Sequence, residues 1–163
     1  MLLLKYRKLQ GGFVMKKCYI ALMLALILGL TFASTVLAGD QKLTLSIKEA
    51  MENPKVKRLL EENNVKLYWG KQSHPRVKAR FGEYKTSKRT NAFLKSKSRA
   101  CQWALASALL TLQERALKEG GDAVINIRSN IKNREFSSET QYECLAGNMM
   151  VNVALKGEVV KLK

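Results

Sequence analysis

Histidine is nearly missing from this chain: its 163 residues contain one, His74. A zinc centre takes about four nitrogen or sulfur ligands, and a serine or cysteine nucleophile is ordinarily activated by an adjacent base. A single histidine, followed by Pro75 in a basic turn, supplies neither, so no metal or other cofactor is expected. There is no Gly-x-x-x-x-Gly-Lys-Ser/Thr loop to cradle phosphates and no Gly-x-Ser-x-Gly elbow to present a nucleophile. Acids are scarce, 13 Asp or Glu against 29 Lys or Arg. Glu135, Glu139 and Glu143 recur at four-residue steps, but they fall on a loop and a strand, where they balance nearby lysines rather than form an acid–base pair. The expectation is a protein that is not an enzyme.

Long apolar runs are also lacking, with one exception near the start. Met15-Lys16-Lys17 gives a positive beginning, Cys18 to Ala33 runs apolar, and Val36-Leu37-Ala38 places small or apolar residues before Gly39. This is the layout of a secretory signal peptide cleaved between Ala38 and Gly39. The competing reading is a membrane anchor, since the run nearly reaches the length that spans a bilayer. Met15 is well placed as a start, which makes Met1–Val14 look like an upstream extension. No cysteine follows the cleavage point, so no lipid anchor and no stable membrane attachment are expected after cleavage. The product is expected in the periplasm or outside the cell.

Cysteines are few, and their number fits export. Of three, Cys18 leaves with the leader, and Cys101 and Cys144 remain, an even number for an oxidising compartment. Neither has a histidine close in sequence, so a structural disulfide is expected rather than a metal ligand or a catalytic thiol. Closing that loop would stabilise the fold by roughly 4 kcal/mol through lost chain entropy.

What the chain has in excess is positive charge. The formal net charge is +16, and +11 without residues 1–38, which hold five Lys or Arg and no acid. Between Lys71 and Arg99 there are ten Lys or Arg and one acid, Glu83. Lys71, Arg76, Lys78, Arg80, Lys85, Lys88 and Arg89 form the candidate surface for an anionic partner: lipid head groups, lipopolysaccharide or an acidic protein. Phe81, Tyr84 and Phe93 are too sparse to stack successive bases, so no specific nucleic acid is expected. The plain alternative is a solvated face that keeps an exported protein soluble.

The fold is organised by the stretch from Ser98 to Asn130. Ser107, Thr111, Glu114 and Lys118 make a narrow polar stripe at three- and four-residue steps. Cys101, Trp103, Leu105, Ala108, Leu109, Leu112 and Ala116 occupy the rest of the circumference. A helix so widely apolar is buried on more than one side. Ser98 is its expected cap and Gly120-Gly121 its end. A strand follows at Ala123–Asn130, with Ala123, Ile125 and Ile127 on one face.

Upstream, Gln41–Ile47 is an extended lead-in, and Ser46 with Glu49 has capping-box spacing. Pro54 starts a helix over Pro54–Glu62. Val65–Trp69 alternates as a strand. Arg76–Ser87 is a second strand with a bulge at Gly82, and Lys88–Lys97 is a surface loop. Downstream, Lys132–Ser138 is a loop, and Thr140–Leu162 forms a strand or hairpin with Met149, Val151, Val153 and Leu155 on one face. Cys144 has the opposite parity, which calls for a change of face, by a bulge at Ala146-Gly147; Gly157 would turn the chain into Val159–Leu162. The expected fold is α+β: an antiparallel or mixed sheet of three to five strands against one long helix. Residues 1–38 are the leader, 39–64 a short helical lead-in, and 65–163 one domain.

Several segments together carry a resemblance: His74-Pro75, Tyr84-Lys-Thr-Ser-Lys-Arg-Thr-Asn-Ala92, Cys101-Gln-Trp-Ala, Leu112-Gln-Glu-Arg-Ala116, Gly121-Asp-Ala-Val-Ile-Asn-Ile-Arg-Ser-Asn130, Tyr142-Glu-Cys144 and Ala154-Leu-Lys-Gly157. From Val65 to Leu162 the chain resembles a family of small exported bacterial proteins whose members often carry an automatic label as an excinuclease ATPase subunit. The phosphate loop that such a label requires is missing here. More distantly, the helix followed by Gly-Gly-Asp-Ala-Val is similar to YbjQ-type domains, sometimes called heavy-metal-binding and thought to form oligomers. It is also similar to the periplasmic domain of the Rcs envelope-stress sensor lipoprotein. The resemblance implies a disulfide-bonded α+β fold in the envelope. It carries over neither a lipid anchor nor a metal, since the anchor cysteine and a Cys/His cluster are both missing.

The function expected is a non-enzymatic exported domain that binds an anionic or protein component of the envelope through its basic surface. The rivals are a ligand-binding protein or enzyme with a pocket between sheet and helix, containing His74, Arg128 and Asn130, and a structural homo-oligomer built on leftover apolar helix surface.

Overall fold

Described as a computed structural model over residues 39–163, the chain is a seven-stranded mixed sheet with one long helix across it. The leader expected at residues 1–38, with its alternative starts, lies outside the described residues. Among the described residues no helix is long and apolar enough to cross a membrane.

The lead-in is part of the sheet. Strand β1 (Gln41–Ser46) ends at the residue that caps helix α1 (Ile47–Glu52), with the Ser46 hydroxyl accepting from the Glu49 N–H. Asn53 caps helix α2 (Pro54–Glu61), where proline sits in the first turn, its missing N–H unneeded there. Strands β2 (Lys66–Trp69) and β3 (Val77–Asn91) follow, then helix α3 (Lys97–Glu119) and strands β4 (Ala123–Ile131), β5 (Arg134–Phe136), β6 (Gln141–Ala146) and β7 (Met150–Leu162). The central path runs β1-β6-β7-β4-β2, with β3 added on β7 and β5 on β4. Only β2 and β4 run parallel, across the helical crossover that such a pair needs. The α+β expectation holds, with seven strands in place of three to five. The additions are β1, at the edge beside β6, and the three-residue β5 within the expected Lys132–Ser138 loop.

Backbone pairing overrides composition in three further places. Polar, basic Lys88–Asn91 is strand, not loop, because β7 continues opposite it as far as Met150. Gly157 lies in mid-strand opposite Tyr84 rather than at a turn. A Cβ there would stand 2.7 Å from Val124 Cγ1, so glycine is needed for close approach of the β4 side chains. In β4, Asn126 has φ 51° and the register shifts between Ile125 and Arg128. Ile127 therefore joins the helix-side core, while Ala123 and Ile125 join a smaller cluster with Val160, Leu162, Tyr68 and Val77. The expected bulge at Gly82 is present, with a register shift after Arg80 and φ 117° at the glycine.

Helix α3 is capped by Ser96 rather than Ser98, its hydroxyl accepting from the Arg99 N–H, and ends at Gly120 in the left-handed conformation, φ 80°. Leu105, Leu109 and Leu112 are buried among Val124, Val151, Val153, Leu155 and Val159. The short helices cover another side. Asn53 donates to the Gln102 side chain, and the buried Gln113 amide donates to the carbonyls of Leu60 and Val65 at 2.9 Å each, tying the end of α2 to α3. On the polar stripe, Ser107 and Thr111 donate to carbonyls one turn back, and Glu114 and Lys118 are exposed. Cys101 and Cys144 are bonded, Cα atoms 6.0 Å apart and both fully buried, which ties the start of α3 to the middle of β6. The change of face after Cys144 is a hairpin turn between Ala146 and Met150, and Met149 is exposed in that turn instead of sharing the apolar row.

Candidate binding surface

Strand β3 carries most of the candidate cations, and its pairing fixes where each one points. Cross-strand neighbours share a face. Val151, Val153, Leu155 and Val159 face α3, so their partners Thr90, Lys88, Thr86 and Gly82 lie on the helix side. Asn152, Lys156, Glu158 and Val160 lie on the opposite face, together with Arg89, Lys85, Glu83 and Arg80. Arg128, opposite Lys156 across β4 and β7, is on that outer face too.

The middle of the outer face is charge-balanced. Lys156 Nζ reaches Glu83 at 2.6 Å and Glu135 at 2.8 Å, while Arg128 pairs with both carboxylates, its Nε 2.7 Å from Glu135. Hydrogen bonds from Arg128 and then Lys156 hold the Glu135 carboxyl well below its usual range, at about 2. Glu83 is lowered chiefly by its bond to Lys156, which outweighs burial, and Lys156 is raised chiefly by Glu135. Glu143, one of the acids expected to balance a lysine, pairs with Lys42 at 2.6 Å.

The seven candidate cations therefore do not form one surface. Arg76, Lys78 and Arg80 line a shallow groove of about 620 Å³ with His74 and Lys163. The groove is held by the Lys163 N–H, which donates to the Arg76 carbonyl at 2.9 Å. Arg80 is shared with Glu158 at 2.6 Å; among the described residues no carboxylate pairs with Arg76, Lys78 or Lys163. His74 packs edge-on against Tyr68, ring centroids 5.6 Å apart, and its Nδ1 lies 2.8 Å from the Pro75 carbonyl, so that nitrogen carries the hydrogen. Lys88 and Arg89 lie near the far end of β3, about 26 to about 43 Å along the strand from the groove residues at about 3.3 Å per residue. Lys88 is half-buried on the helix side, and Arg89 lines a smaller depression with Asp40 and Met150. Lys85 lies between the two ends, opposite Lys156. Lys71 is in the turn after β2, whose Gly70 stands against Ser137 and Ser138 rather than against β3.

The rival trio is dispersed as well. His74 lines the basic groove, Asn130 lines a depression of about 330 Å³ with Lys85, Ser87 and Asn152, and Arg128 is engaged by its two glutamates. Among the described residues no three His, Cys, Asp or Glu side chains gather as a metal site. No family model, curated protein or solved structure matches the chain. The functional reading rests on the surface itself. Sequence reasoning missed the Glu83–Lys156–Glu135–Arg128 network, whose members come from four strands. It also missed Lys163, which only the β3–β7 register brings beside Arg76.

Proposed function

We propose that this protein is an exported, non-enzymatic binding domain of the bacterial envelope, which receives an anionic group of an envelope component in the groove lined by His74, Arg76, Lys78, Arg80 and Lys163. The observation that carries this reading is that these five residues line one concavity, where three of the cations have no carboxylate partner among the described residues. Like charges gathered without counter-charges attract an anion, most strongly at low ionic strength. The leader-like residues 15–38 and the buried Cys101–Cys144 bond support the envelope address. So does the resemblance to small exported bacterial proteins.

The test has two arms. Protein recovered from the periplasmic fraction of a bacterial host is expected to begin at Gly39 and to carry no free thiol; a full-length product with free thiols overturns export. That protein is expected to sediment with vesicles containing lipopolysaccharide or anionic lipid, less so as salt is raised. The double variant Arg76→Glu/Lys78→Glu should bind about tenfold more weakly or worse, given about 1 kcal/mol per cation at a charged membrane surface. Unchanged binding by the variant removes the groove from the proposal.

A further inference from the structure

The far end of β3 carries a different chemistry. Residues 92–96 join β3 to α3, and the Ala92 N–H donates to the Met149 carbonyl at 2.8 Å, which holds this loop against the β6–β7 turn. Asn91 lies opposite Met150 across the sheet. Four large apolar side chains are thereby brought to one tip: Phe93 is 59% exposed, Leu94 91%, Met149 63% and Met150 45%. Leu94 is also held at φ 57°, a region that bulky residues seldom occupy. The loop thus presents its leucine outermost at a backbone cost, when either a glycine or a polar residue would relieve the exposure or the strain. Between residues 88 and 99 the sequence holds five cations (Lys88, Arg89, Lys95, Lys97 and Arg99) and no acid. Asp40, beside Gly147, brings one acid to this end.

We infer that this tip inserts into the surface of an anionic lipid bilayer, with Phe93, Leu94, Met149 and Met150 entering the boundary between head groups and acyl chains while cations of the flanking residues 88–99 meet lipid phosphates. Exposed apolar side chains flanked by Lys and Arg are the combination that binds such an interface, each component adding to the other. A second copy is a poor occupant, because it would bring the same five cations against these. The inference is independent of the basic groove, which lies at the opposite end of β3 and makes no contribution to the apolar cluster.

The test reads the tip directly in the full chain. Leu94→Trp places a reporter at an exposed site without touching the core; the chain's own Trp69 and Trp103 contribute equally to the control protein, so the signal is read as the difference between the two variants. Leu117→Trp, half-exposed near the other end of α3, is the control. With vesicles of phosphatidylglycerol and phosphatidylcholine, the emission of the Leu94→Trp protein is expected to shift to the blue and to be quenched by brominated acyl chains, while the Leu117→Trp protein is unaffected. Phe93→Ser/Met149→Ser should weaken vesicle binding about tenfold or more, through loss of buried apolar area. At saturating lipid, Arg76→Glu/Lys78→Glu should leave the tip signal in place, which separates this inference from the groove. Absence of lipid quenching at low salt overturns insertion, and equal quenching in purely phosphatidylcholine vesicles overturns the anionic-lipid assignment. A blue shift without lipid overturns the inference as well. It assigns the tip to a second copy if it grows with protein concentration, and to the chain's own leader if it does not.

Discussion

Arg128 and Lys156 each reach the same two carboxylates, Glu83 and Glu135, so the outer face of the sheet holds a closed set of four alternating charges. Both glutamates titrate lower in the folded protein than in the unfolded chain, where a carboxyl sits near 4.5. A group with a depressed folded value contributes stability above its unfolded value and loses that contribution as pH falls. For Glu135 the window runs from pH 4.5 down to about 2. Urea unfolding across that window should show the wild-type midpoint falling more steeply than that of Glu135→Gln, which has no proton to gain there. Parallel curves would mean that solvent screens these pairs into insignificance, as it does for many exposed ion pairs. The network has a second consequence: Glu83, the single acid in the basic stretch, is already engaged and leaves the cations at either end of β3 without a counter-charge from it.

At the scale of elements, β3 is the instructive case. It is fifteen residues long and, among the described residues, pairs with β7 alone. A strand with an unpaired edge is liable to join other chains, and charged side chains along it discourage that. Part of the basic stretch thus serves the fold whatever it binds. Its partner β7 is paired on both edges, with β3 on one and with β4 and β6 on the other, so a flaw in β7 affects most of the sheet. Gly157→Ala would put a methyl 2.7 Å from Val124 Cγ1 and 3.3 Å from Ile127 Cγ1. The expected loss is about 1–3 kcal/mol, the usual range for overpacking, read as a lower urea midpoint. A substitution without effect would mean that β4 yields easily, and that the glycine has no packing role.

At the scale of the whole molecule, the disulfide joins elements that the sheet alone does not hold together. Cys101 and Cys144 are 43 residues apart, and their bond ties the first turns of α3 to β6. Replacing both by alanine should cost about 4 kcal/mol through restored loop entropy. That is a large share of the 5–15 kcal/mol typical of a domain. Urea midpoints of the oxidised protein and the double variant measure it, and a difference below about 1 kcal/mol would show that the reduced loop is already constrained in the unfolded chain. The molecule also has two unlike ends along β3, a basic groove beside Lys163 and an apolar tip at Leu94 whose flanking residues 88–99 hold five Lys or Arg and no acid. On the two proposals above, one protein would meet an anionic group at one end and a bilayer surface at the other.

Local physics made much of this architecture legible from the residues alone. The wide apolar surface of α3, its glycine stop, the cap at Ser46, the first-turn proline Pro54 and the bulge at Gly82 are consequences of side-chain spacing and backbone preference within a few residues. The bonded cysteines were legible too, because Cys101 and Cys144 are the two outside the leader-like segment and neither has a histidine near it in sequence. Pairing across the sheet decided the rest. Lys88–Asn91 became strand because β7 lies opposite it, and Gly157 stayed in line because Val124 needed the space. The cations from Arg76 to Arg89 were spread along β3 because an extended strand advances about 3.3 Å with every residue, and Lys71 was left in the turn after β2. Nearness along the chain fixed their number and sign, and only the register of β3 on β7 determined which of them could act together.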